Sequence, residues 1–146
     1  MKHLSCGLIL SVILFGCGSS GPEIASVEGT VTLDGQPLAN ASVVFVPEGG
    51  RPAGASTDAQ GKYVLNFSED RQGAIPGKNV VRISTARGET TDDNGQMVPG
   101  SPETIPAKYN AQTTLEFNVE PGKVNTADFT LESEGELPAV SDTERD

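Results

Sequence analysis

Apolar residues recur at every second position from Val27 to Leu131, in short runs cut by Gly, Pro and Asp. In Val27-Glu28-Gly29-Thr30-Val31-Thr32-Leu33, the residues Val27, Gly29, Val31 and Leu33 share one face, because successive side chains of a strand point to opposite sides. No run in this stretch repeats with the 3.6-residue period of a helix. A chain patterned this way must bury one face of each strand against another sheet.

The punctuation sets the strand order. Asp34-Gly35 directly follows the first strand and is a strong hairpin signal, since both residues tolerate positive φ. A second strand runs from Ala41 to Val46, with Ala41, Val43 and Phe45 inward, and Pro47 ends it. Ala53–Thr57 is a short strand. Asp58-Ala59-Gln60-Gly61 has the Asp-first, Gly-last composition of a type I turn. Lys62–Phe67 follows, with Tyr63, Leu65 and Phe67 aligned, then a polar loop from Ser68 to Ile75. Asn79–Thr85 places Val81 and Ile83 inward. Thr113–Glu120 alternates through Leu115, Phe117 and Val119, and Val124–Leu131 through Ala127, Phe129 and Leu131. These seven strands predict an all-β, seven-stranded antiparallel Greek-key β-sandwich over residues 26–132. Residues 86–107 form a long, irregular connection containing Asp92-Asp93-Asn94-Gly95 and three prolines. Loops of that length are often either functional or disordered.

Ahead of the strands stands a different kind of segment. Lys2 and His3 precede an apolar run from Leu4 to Phe15, and Gly18-Ser19-Ser20-Gly21 follows it. A charged start, a short apolar core and small residues make a secretory leader. The core falls well short of the roughly 20 residues a spanning helix needs. Leu14-Phe15-Gly16-Cys17 resembles the lipobox of bacterial lipoproteins. That resemblance implies a leader over residues 1–16, diacylation of Cys17 and a tether over 17–25. Gly18 is not the aspartate that in enteric bacteria disfavours the outer membrane, so an outer-membrane, periplasmic or surface-facing position is the expectation. The acidic, unpatterned residues 133–146 read as a disordered tail.

Composition closes off several chemistries. His3 is the only histidine and departs with the leader, so the processed chain has no imidazole for a Ser-His-Asp triad or a zinc site. Cys17 becomes the only cysteine, which removes disulfides and a free thiol nucleophile. The formal net charge is −10, and loss of Lys2 makes the remainder more acidic. Such a surface repels nucleic acid. No catalytic residue, cofactor or metal is expected.

The runs Glu28-Gly29-Thr30-Val31-Thr32-Leu33-Asp34-Gly35-Gln36-Pro37-Leu38, Thr57-Asp58-Ala59-Gln60-Gly61-Lys62-Tyr63 and Pro76-Gly77-Lys78 resemble the carboxypeptidase regulatory-like domain. Its fold is transthyretin-like. Ile105-Pro106-Ala107-Lys108-Tyr109-Asn110 is similar to a run in small planctomycete lipoproteins. The resemblance implies a fold and no activity, since its glycines and aspartates serve turns. The hydrolase of this fold uses histidines and a C-terminal Tyr-Arg-Gly-Ser, both missing here.

The expected role is therefore a lipid-anchored, non-enzymatic envelope module, monomeric, whose partners are the membrane through Cys17 and an envelope protein or polysaccharide. The alternative is a cation- or glycan-binding module using the 86–107 loop. Asp92-Asp93-Asn94-Gly95 offers oxygen ligands, but Thr90 and Ser101 stand where an EF-hand needs acids. With few aromatics available, Arg87, Met97 and Tyr109 are the recognition candidates in or beside the loop. Tyr109 also has a structural reading, as a hydroxyl tucked against nearby backbone.

Overall fold

The computed structural model describes residues 21–139. The leader, Cys17 and the last seven residues lie outside the described part. Thirteen strand segments are present there, with one short 3-10 turn at Ala107–Tyr109. They form a β-sandwich of two principal sheets and a small ribbon.

The smaller principal sheet is built on β1 (Val27–Leu33). On one side it pairs antiparallel with β2 (Gln36–Pro37) and β5 (Lys62–Val64). On the other it pairs with β12 (Asn125–Thr126) and β13 (Phe129–Leu131). The larger sheet has the order β11-β8-β3-β4-β6-β7. Its members are β3 (Ser42–Pro47), β4 (Ala53–Ser56), β6 (Asn66–Ser68), β7 (Arg71–Gln72), β8 (Gly77–Ser84) and β11 (Glu116–Val119).

Between them lies the core. Val27 and Val31 of β1 face Val43 and Phe45 of β3 and Val81 and Ile83 of β8, all fully buried. Phe117 and Phe129 approach Phe45 edge-on, with centroids 5.8 and 6.2 Å away. Both remain half-buried, because they sit on the outermost strands of their sheets. Ile105, from the long connection, is fully buried and plugs one end.

Two turn codes act as their chemistry dictates. Asp34 and Gly35 have φ of 50° and 79°, joining β1 to β2 with Leu33 opposite Gln36. At Asp58–Gly61, the Gly61 N–H bonds the Asp58 carbonyl at 3.0 Å, while Asp58 Oδ1 accepts from the N–H groups of Gln60 and Lys62, each at 2.9 Å. Gly61 needs its positive φ of 74° here, which glycine adopts without steric cost.

Four expectations need correction. β1 runs parallel to β12 and β13, while every other named pair is antiparallel. The single strand expected over Lys62–Phe67 is divided: β5 belongs to the smaller sheet and β6 to the larger. The crossing residue is Leu65, fully buried, whose N–H bonds Val27 and whose carbonyl accepts from Gly73. The tether expectation over 17–25 extends too far, since Ala25 is buried and exchanges two 3.0 Å backbone bonds with Ala74. The tail is held at its start. Ser133 N–H bonds Asp34 Oδ1 at 3.0 Å and the Glu136 carbonyl accepts from Ala107 at 2.8 Å.

Candidate functional site

The connection over 86–107 is a built structure and not an irregular loop. β9 (Thr90–Thr91) and β10 (Met97–Val98) pair antiparallel as a ribbon. Its turn repeats the Asp58 pattern. Thr91-Asp92-Asp93-Asn94-Gly95 matches Thr57-Asp58-Ala59-Gln60-Gly61 at Thr, Asp and Gly. Gly95 N–H bonds the Asp92 carbonyl at 3.0 Å, and Asp92 Oδ1 accepts from Asn94 and Gln96 at 2.9 and 2.8 Å. One Asp92 oxygen is thus committed to the turn, as a turn-forming aspartate requires. Among the described residues no group of three or more His, Cys, Asp or Glu is arranged to hold a metal ion.

The root of the ribbon is locked in two places. Arg87 and Ser101 exchange backbone bonds of 2.9 and 3.0 Å. Gly100 beside them has no room for a side chain, because a Cβ would lie 2.4 Å from the Arg87 carbonyl oxygen. Below, Glu103 accepts from the Ser84 hydroxyl at 2.6 Å, the Thr85 N–H at 2.9 Å, the Thr85 hydroxyl, and the N–H groups of Thr104 and Ile105. Burial opposes ionisation of Glu103, but these donors outweigh it and hold its carboxyl below the usual value.

The three recognition candidates separate. Met97 is exposed on β10, 69% accessible, with Val98 beside it. Arg87 is exposed at the ribbon root and donates to the Asn40 carbonyl at 3.0 Å. Tyr109 is buried, and its hydroxyl accepts the Glu132 N–H at 3.0 Å. It is a brace between the 3-10 turn and the end of β13, so it is not available as a surface contact.

A second candidate lies on the solvent face of the smaller sheet. Glu28, Thr30, Lys62, Val64, Thr126 and Asp128 line an open depression of about 420 Å³. Its shape comes from a break in the parallel ladder. Tyr63 lies opposite Gly29, and its buried hydroxyl donates across that glycine to the Ala127 carbonyl. Deprived of a backbone partner there, Thr30 N–H bonds Asp128 Oδ1 at 2.8 Å instead. Burial first, and the Asp128 charge second, push the Tyr63 hydroxyl pKa above its ordinary range. The depression can hydrogen-bond a polar ligand, and the one aromatic residue in its lining, Tyr63, is itself buried.

Sequence reasoning missed Glu103, Tyr63 as a cross-strand brace, and Asp128. Their partners are distant in the chain, and no local pattern marks them. The ribbon had a legible signal in the repeated Thr-Asp-x-x-Gly.

No family profile matches the chain, and no curated protein does. Among solved structures, the chain is similar to a DUF3823 family protein from Parabacteroides merdae ATCC 43184, at 16% identity and a TM-score of 0.38. That alignment covers 77% of this chain and 46% of the other. It is also similar to a 9R-lipoxygenase from Cyanothece PCC8801, at 15% identity and a TM-score of 0.38, covering 86% of this chain and 18% of the other. The chain thus spans less than half the length of either neighbour. The sandwich assignment rests on the strand pairing itself.

Proposed function

We propose that this chain is a lipid-anchored cell-envelope protein whose sandwich serves as a non-enzymatic structural or binding module. The observation that carries this reading is Leu14-Phe15-Gly16-Cys17, placed after a charged, short apolar leader and before small polar residues. One acyl chain holds only marginally, and several hold stably, so a multiply acylated Cys17 would suffice as an anchor. The same reading includes the finer assignment as a carboxypeptidase regulatory-like, transthyretin-like domain of the planctomycete lipoprotein type. Its support is the Asp34-Gly35 and Asp58–Gly61 motifs, both of which serve turns.

Within this reading, recognition belongs to the ribbon, through Met97, Val98 and Arg87. The buried faces of both sheets fill the core, and among the exposed large apolar side chains of the described residues Met97, on the ribbon, is the most exposed, with Val98 beside it. Interfaces draw their energy from a few such anchors.

Two experiments test the proposal. Cys17→Ser is expected to release the protein from the membrane fraction, and unchanged partitioning refutes the anchor. Replacing residues 89–99 by a short Gly-Ser linker keeps the Arg87–Ser101 bridge and Glu103. An envelope pulldown is then expected to lose its partners, and unchanged recovery refutes recognition by the ribbon.

A further inference from the structure

Strand directions place the two ends of the sandwich unambiguously. β8 runs from Gly77 to Ser84, and Ser42 of β3 pairs with Ser84 while Pro47 pairs with Asn79. β1 starts at the Gly77 end, because the preceding Ala25 bonds Ala74. The N-terminal segment is fastened to that end, where the Arg71 guanidinium donates to the Pro22 carbonyl at 2.7 Å. The ribbon rises from the opposite end, where Glu103 grips Ser84 and Thr85.

Chain length then limits orientation. Between Cys17 and Gly21 the chain can span at most about 14 Å, at about 3.5 Å per residue. β8 has eight residues, and at about 3.4 Å each it separates the two ends by about 24 Å. The tether is too short for the ribbon end to reach the leaflet that holds Cys17.

We propose that the Gly77 end is a lipid-facing surface, resting on the head-group layer of the anchoring leaflet, and that the ribbon points away from it. This rests on the anchored reading above. The proximal surface comprises the Glu48–Pro52 loop, the Glu69–Asp70 turn and the Pro121–Val124 turn. Arg51 and Arg71 flank the Phe67 ring there, 5.8 and 5.5 Å from its centroid. Val124 is 59% exposed beside Lys123. Glu48, Glu69, Asp70 and Glu120, the last paired with Lys123, give this end mixed charge. The opposite end carries Asp34, Asp58, Glu89, Asp92, Asp93 and Glu132 against Arg87 at the ribbon root, an acidic excess that an anionic leaflet repels.

The processed protein has no cysteine besides Cys17, so a thiol introduced elsewhere is unique once Cys17 is acylated. Gly49→Cys marks the proximal end, where a Cβ meets nothing within 4 Å. Asn94→Cys marks the exposed ribbon tip. Each full-length lipidated variant is labelled with a fluorophore and reconstituted into phosphatidylethanolamine–phosphatidylglycerol vesicles carrying a nitroxide on the head group. The label at 49 is expected to be quenched several-fold more than the label at 94. Inserting twelve Gly-Ser residues between Ser20 and Gly21 is expected to reduce the difference. Co-sedimentation with equal quenching at both sites, or more at 94, overturns the orientation alone. Failure to co-sediment overturns the anchor and the orientation with it.

Discussion

Gly29→Ala is expected to be among the most damaging single-methyl changes in this protein. A Cβ at Gly29 would lie 1.9 Å from the Ala127 carbonyl oxygen, 2.6 Å from its carbon and 3.0 Å from the Tyr63 hydroxyl. The obstacle is mainly backbone, so no side chain can swing aside. β1 and the Ala127 segment must move apart, and the Tyr63–Ala127 bond is lost with that movement. Overpacking of a tight core costs about 1–3 kcal/mol. Leaving a buried polar group without its partner costs about 1–3 kcal/mol more. The expected loss is therefore about 2–6 kcal/mol, against a total of about 5–15 kcal/mol for a typical domain. Gly54→Ala is the matched control, because its Cβ would sit 3.6 Å from the Val43 carbonyl oxygen, an ordinary contact. Guanidinium denaturation of residues 18–146 measures both variants. In a Tyr63→Phe background the Gly29→Ala cost is expected to shrink, because one of its two causes is already gone. Equal midpoints for Gly29→Ala and Gly54→Ala would refute the account of the ladder break.

Alkaline titration tests Tyr63. Its folded pKa is raised, so the protonated form contributes stability fully below the ordinary value of 10.0, and that contribution is lost as pH rises beyond it. Tyr63→Phe is expected to flatten the stability profile above about pH 10, and a profile as steep as wild type would contradict this. Glu103 has the opposite sign: its depressed pKa contributes stability above the ordinary 4.5, lost as pH falls through the folded value. Glu103→Gln is expected to weaken that acid dependence and to raise hydrogen exchange at Thr85, Thr104 and Ile105; unchanged exchange would count against the lock. Phe45→Ala, at a fully buried site, is expected to cost about 3–5 kcal/mol. Half-buried Phe117→Ala is expected to cost less, and the reverse order in denaturation midpoints would show the core to be centred elsewhere.

Much of this fold was legible because its signals are local. Alternation in Val27–Leu33 and Asn79–Thr85 fixed which faces are buried, since a one-residue slip would expose Val27, Val31, Val81 and Ile83. Asp34-Gly35 and Asp58–Gly61 announced their turns because positive φ and an aspartate acceptor act within four residues. The repeated Thr91-Asp92-x-x-Gly95 carried the same message for the ribbon. Tyr109 was legible only as a choice between two roles, and burial with its bond to Glu132 decided it.

The sequence by itself therefore determined the strand faces, the tight turns, the acidic surface and, at Leu14–Cys17, the basis for the proposed anchor. Each follows from the chemistry of residues adjacent in the chain. Only the tertiary structure decided that β1 and β13 lie side by side in parallel, that Leu65 carries the chain from one sheet to the other, and that Glu103 gathers donors from Ser84 and Thr85. The physical reason is separation. Thr30 and Asp128, or Tyr63 and Ala127, are brought together by the pairing of β1 with β5, β12 and β13, and nothing in either residue's own neighbourhood specifies the other.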